Sequence, residues 1–278
     1  IDLDMAETVK YAEGEYCWLV SDDDPINSHA LKNLFKDLKL NHEIYLCDRV
    51  VCDKKLNPIR NRNWLRSTQS NTYKLSNPIE FENYLDNCLE FGAIFSYMCA
   101  IIFKRSEWNK TEYDTNFTNS GYGHVTRIFD IIHNGGILKY INKPLLLNRS
   151  FNDSFMSLGI KRRFMLDIDG YTKLASRCLE KYEESIRKKF LKVMLLEHPW
   201  YQLIKLKSNV HDHQEWEVIK EKIKYCGYSD IEIKLSEILS FNKTFIKLLV
   251  YLRYLYNTSS IHQLKYFFGQ IINKKNAK

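Results

Sequence analysis

Residues 16–20 form an uninterrupted apolar run, Tyr16, Cys17, Trp18, Leu19 and Val20, and after Ser21 come three consecutive carboxylates, Asp22, Asp23 and Asp24. A short apolar run bounded by turn residues predicts a buried strand. Acids placed just past such a strand lie at its carboxyl edge, where open α/β sheets put their ligand crevices. Close-set carboxylate oxygens suit a hard cation. Mg²⁺ or Mn²⁺ held by one or two carboxylates leaves positions for substrate phosphates. The competing reading is a helix cap, since Asp is favoured just before a helix and by its dipole. Three adjacent acids exceed what capping needs, because their mutual repulsion is unfavourable without a cation. Asp23 is therefore the expected metal ligand, with Asp22 and Asp24 beside it, and a metal–diphosphate is the expected cargo.

The 278 residues suffice for one large domain or two smaller ones, and the 45% apolar content suits a packed core. Only 10 Gly and 5 Pro argue against a low-complexity chain. Seven cysteines, an odd number without a CxxC pair, read as reduced core residues, and their spacing argues against a zinc site or a disulfide framework. No apolar stretch approaches the ~20 residues of a membrane span. Charge is split: residues 1–157 carry 18 basic and 21 acidic side chains, whereas residues 158–278 carry 23 and 13. From residue 238 onward there are seven Lys or Arg and no acid, so the second half is expected to face something anionic.

The periodicity predicts a helix over 4–12, a strand over 16–20, a helix over 25–38 with an apolar stripe of Ala30, Leu31, Leu34, Phe35 and Leu38, and a strand over 43–51. Residues 53–78 are polar and aperiodic and read as a long surface loop, a candidate lid. A helix over 78–89, a strand over 94–103, a helix over 125–133 stopped at Asn134, Gly135 and Gly136, and short strands over 137–141 and 145–147 complete the first part. Beyond residue 157 helical periods dominate. The expected organisation is an α/β domain over 1–157 and a basic, mostly helical region over 158–278. A strand with a ligand-binding edge ordinarily has parallel neighbours on both sides, so an additional N-terminal portion is expected.

The stretch from Ala12 to Asp24 resembles the A-x-G-x-Y-hydrophobic-D-x-D-D segment of family 2 glycosyltransferases of the GT-A fold. The loop Gly121, Tyr122, Gly123, His124 and the ending Pro144, Leu145, Leu146, Leu147, Asn148, Arg149 are similar to an abequosyltransferase-like subgroup of surface-polysaccharide synthesis. The resemblance covers roughly residues 1–155. It implies the C-terminal part of a GT-A, Rossmann-like domain, a nucleotide-diphosphate sugar as donor, Mn²⁺ or Mg²⁺, and a polyprenyl-linked glycan as acceptor. Ser21 stands where many members carry their first Asp, and Asp23 matches the usual metal ligand. The family's early strand-and-Asn motif for the nucleotide is not in this chain.

By the same resemblance His124 falls where the acceptor-side acid is placed. A positioned base is worth about 10²–10⁴ in rate, and His titrates in the right range. The bland alternative is a histidine hydrogen-bonded at a helix start. Asp114 and Asp130 are weaker substitutes, Asp130 reading as part of an exposed helix face. Arg149 and Asn152, at the end of a strand on the presumed site edge, are candidates to hold the donor diphosphate; for Arg149 the alternative is a surface ion pair. Lys161, Arg162 and Arg163 could extend a positive rim there but read first as a solvated basic run, and His211, Asp212 and His213 as a polar loop, since no third metal ligand accompanies them.

A stripe of Phe241, Phe245, Leu248, Leu249, Leu252 and Leu255, set among Lys243, Lys247 and Arg253, suits an anionic membrane surface as well as it suits a core-packed helix with snorkelling lysines. The expected setting is the cytoplasm, peripheral to the inner face of the cell membrane. Two rivals are weighed against the transferase: a catalytically inactive membrane- or partner-binding module, and a nucleic-acid binder. The second is disfavoured, because no recognition motif accompanies the basic charge.

Overall fold

The computed structural model describes residues 2–150 and 154–240, together with residue 251. Asn152 and the apolar stripe from Phe241 to Leu255 fall almost entirely outside the described residues. The chain runs α1 (Asp2–Lys10), β1 (Tyr16–Trp18), α2 (Ala30–Leu38), β2 (Ile44–Cys52), β3 (Pro58–Arg62), β4 (Thr72–Tyr73), α3 (Pro78–Asn87), β5 (Ile101–Lys104), α4 (Arg105–Trp108), α5 (Gly123–His133) and β6 (Leu138–Arg149). Five helices follow: α6 (Ile160–Cys178), α7 (Glu184–Glu197), α8 (Gln202–Ser208), α9 (His213–Tyr225) and α10 (Asp230–Leu239). The fold is thus α/β, with a mixed sheet followed by a helical region.

The sheet order is β1-β5-β2-β6-β4, with β3 paired to the far part of β2. The strands β2 and β6 are parallel, and β5 runs against both β1 and β2. Hence β1, β2 and β6 point the same way, and the acidic turn after β1 shares a sheet edge with Cys52 and Arg149, which are paired in register. Every residue of β2 is buried, the near-continuous apolar strand that a sheet covered on both faces requires. One cluster of buried apolar side chains runs from Val9 through the sheet to Ile233, so the helices after residue 157 share the sheet's core. Tyr171 and Tyr182, on and just after α6, donate to the carbonyls of Ile94 and Leu75. All seven cysteines are buried and free. Among the described residues no helix is long and apolar enough to cross a membrane.

Four local expectations are corrected. The second helix starts at Ala30 instead of at residue 25, because Pro25 and Asn27 are tied to β6: Leu147 donates to the Pro25 carbonyl (2.9 Å) and Asn27 N–H donates to the Leu145 carbonyl (2.9 Å). Of its apolar stripe, Ala30 and Leu34 are buried, while Leu31 and Phe35 face solvent. The stretch 53–78 is no free loop, since β3 doubles back on β2 and β4 pairs with β6. Residues 91–100 cross the core in two 3₁₀ turns, with Phe95 at φ 68°, and only Ile101–Lys104 forms a strand. The two short strands expected over 137–147 are one strand, whose register on β2 shifts near Pro144, a residue without an amide donor.

Candidate active site: the acidic turn and the sheet edge

The turn that carries Asp22, Asp23 and Asp24 is fastened at both ends. On its N-terminal side the Trp18 indole donates to the Cys99 carbonyl at 2.7 Å. On its C-terminal side Ile26 bridges to Leu146 of β6. The three acids take different stations. Asp22 is exposed, Asp23 is half-buried and Asp24 is only 6% exposed.

Asp24 is spent on the protein itself. Its Oδ1 accepts from the Arg149 amide at 2.6 Å, and its Oδ2 accepts the Tyr97 hydroxyl. The Asn148 amide reaches both oxygens at 3.4–3.5 Å and the Tyr97 hydroxyl oxygen at 3.2 Å. Charge-assisted bonds of this kind are among the stronger ones available, so Asp24 anchors the turn. Burial, together with the adjacent Cys99 and Asp24, pushes the Tyr97 phenol well above its ordinary range and keeps it a donor.

Arg149 is also engaged at home. Its Nε donates to the Asp23 carbonyl (3.1 Å) and an Nη to the Lys54 carbonyl (3.0 Å). It clamps the turn onto the end of β6. The surface ion pair considered for it does not describe this arrangement.

His124, at the start of α5, lies inside the core at 5% exposure, among Leu19, Met98, Phe103, Trp108 and Ile128. Its Nε2 is 2.9 Å from the Phe95 carbonyl. A carbonyl only accepts, so Nε2 carries the proton, and Nδ1 is left buried without a partner. Burial lowers the pKa of this imidazole from its ordinary value, which favours the neutral ring. The structure therefore sets His124 behind the segment 95–98 instead of at an open crevice, where the expected base would contact an acceptor hydroxyl.

Other sequence candidates are accounted for by local contacts. Asp114 and Asp130 both pair with Arg177. Lys161 pairs with Glu215, and Arg163 with the buried Asp167. Asp212 caps α9 by accepting the Glu215 amide at 2.9 Å.

A group that sequence reasoning missed borders the turn. Arg49, on β2, lies 3.6 Å over the Trp64 ring and 5.9 Å from the Tyr97 ring centre. It pairs with the buried Glu90, which also pairs with Arg62. Burial lowers the Arg49 pKa to about 10, still charged at neutral pH. The signal was the adjacent pair Asp48 and Arg49, two charges inside a strand that is otherwise apolar.

Asp22, exposed, and Asp23, half-buried, are the carboxylates of this turn that could hold a hard cation in an open site. Among the described residues no three His, Cys, Asp or Glu side chains gather into a closed cage. Mg²⁺ and Mn²⁺ do not need one when phosphate oxygens and water complete the shell.

No family model matches the chain. It is 36% identical over 202 residues to "Abequosyltransferase RfbV" of Salmonella typhimurium strain LT2, a match that covers 72% of this chain and 60% of that protein. The chain therefore spans less than two thirds of the length of this curated relative. A crystal structure of S. aureus TarS 1–349 superposes with a TM-score of 0.48 at 12% identity, over 79% of this chain and 57% of that one.

Proposed function

We propose that this chain is part of a glycosyltransferase that moves a hexosyl or deoxyhexosyl group from a nucleotide-diphosphate sugar to a lipid-linked glycan of surface-polysaccharide synthesis. The observation that carries the reading is the 36% identity over 202 residues to a protein named as an abequosyltransferase. The acidic turn on the edge shared by β1, β2 and β6 supports it, because open α/β sheets bind ligands there.

Asp23, with Asp22 beside it, would hold Mg²⁺ or Mn²⁺, which when bound supplies positive charge against the departing diphosphate. The chain's own part is to present those carboxylates without further reorganisation. Asp24 locks the turn to Arg149, Asn148 and Tyr97, and Arg149 grips the Asp23 carbonyl. His124 acts at one remove, by holding the Phe95 carbonyl and with it the segment that delivers Tyr97. The polyprenyl-linked acceptor places the reaction at the inner face of the cell membrane, and the excess of basic side chains after residue 157 suits that anionic surface.

The test is Asp23→Asn in the full-length protein, assayed with a panel of nucleotide sugars and Mn²⁺. Loss of one electrostatic stabiliser of the leaving group is expected to cost about 10²–10³ in kcat, with the metal requirement weakened. Turnover within a few-fold of wild type in that variant overturns the assignment.

A further inference from the structure

A second cleft, of about 430 Å³, opens beside the end of β3, lined by Arg60, Arg62, Arg66, Ser67, Thr68 and Glu90 among others. It is built from backbone pairing. Arg60 and Arg62 lie two apart on β3, opposite Val51 and Arg49, so both project from one face of the strand. The following segment is pinned to the end of α3 by the Arg66 amide on the Asn87 carbonyl (2.9 Å) and the Leu89 amide on the Trp64 carbonyl (2.8 Å).

The charge of this cleft is unbalanced. Its carboxylate, Glu90, is 6% exposed and already shared by Arg49 and Arg62. Among the described residues neither Arg60 nor Arg66 has an ion pair, and the Arg60 Nε is shut off from solvent with no acceptor. An unpaired donor in this position is unfavourable, and Arg60 lines the cleft with no carboxylate of its own. The stack of Arg49, Trp64 and Tyr97 joins the cleft to Asp24 of the acidic turn.

We infer that this cleft binds a diphosphate group through Arg60, Arg62 and Arg66. Forked guanidinium donors match phosphate oxygens in pairs, and the volume lies within the range of small-molecule sites. Two substrates of the proposed transferase carry the group, the nucleotide donor and a polyprenyl diphosphate acceptor; that choice rests on the proposed function, whereas anion binding does not.

The experiment titrates inorganic pyrophosphate into the full-length protein by calorimetry, in EDTA so that no divalent cation takes part. Wild type and Asp23→Asn are expected to bind alike. Arg60→Gln/Arg66→Gln is expected to bind roughly tenfold or more weakly, as loss of charged hydrogen bonds implies. Arg66→Gln alone, at an exposed position, gives the same direction with little risk to folding. Displacement of pyrophosphate by a nucleoside diphosphate or by a short-chain polyprenyl diphosphate then identifies the source. Absence of binding by wild type, or unchanged binding in both arginine variants, overturns the inference. Failure of every nucleotide sugar to react would overturn the proposed function and leave the titration readable.

Discussion

At the scale of single residues, three adjacent acids with the same side chain hold three different stations, which the one-dimensional pattern cannot distinguish. Asp24 is taken by Tyr97, Asn148 and Arg149, partners far away in sequence. His124 shows the same limit. Its position beside glycines at a helix start is legible, but its burial depends on Phe103, Trp108 and Leu19 closing over it. A direct consequence concerns pH. A contacting base would impose an acid limb on kcat/KM that vanishes on its removal. Burial instead lowers the His124 pKa and favours the neutral ring. His124→Leu is expected to keep the shape of the pH profile. It should also lose about 1–3 kcal/mol of stability by stranding the Phe95 carbonyl, as a denaturant titration will read. A profile that loses its acid limb in the variant would restore the contacting role.

At the scale of elements, strongly periodic segments were readable: α3, α5 and β2 lie where the sequence puts them to within a few residues. Segments whose state depends on a distant partner were not. Pro25 suits a helix start in isolation, yet its carbonyl serves Leu147. The apolar run 94–103 does not by itself distinguish a strand from a buried irregular crossing, and the crossing is fixed by Tyr84, Tyr171 and His124 bonding its carbonyls. β3 escaped notice because its alternation is written in Arg and Asn. Gly92 shows how tightly this region is fitted, since a Cβ there would lie 2.1 Å from the Trp64 ring. Gly92→Ala is expected to displace the indole and cost about 1–3 kcal/mol, the usual range for overpacking. Because Arg49 rests on that ring, near-ultraviolet circular dichroism and pyrophosphate affinity should change together.

At the scale of the molecule, the division near residue 157 is a change of texture within one packed body. A buried polar knot joins the parts. Asp167 of α6 meets His198 at 2.5 Å and the Tyr122 hydroxyl, beside Arg163. Burial works against its charge, but His198, Arg163 and Tyr122 prevail and hold the Asp167 pKa below the usual carboxylate range. A carboxylate whose pKa is depressed by folding contributes stability that is present above its unfolded pKa, near 4, and is lost as pH falls through the lower folded value. Asp167→Ala strands the groups around it, and about 3–5 kcal/mol is the expected cost of breaking such a buried pair. With one shared core, helical and aromatic signals should vanish in a single transition for both proteins. Two separate transitions in wild type would show that sheet and helices unfold as independent bodies. The sequence displayed the helical texture of this region but not the knot, whose members lie on three different segments.

The short span from Trp18 to Pro25 is moored to Cys99 at one end and to β6 at the other. A loop with so little slack cannot travel far, so under the proposed function the cation would have to come to it. Most of the ordering entropy is already spent when the protein folds, so metal capture here should behave as a fast docking event with a small conformational signature. Selectivity among divalent ions would then follow the moored backbone of the turn more than any closing motion of the chain.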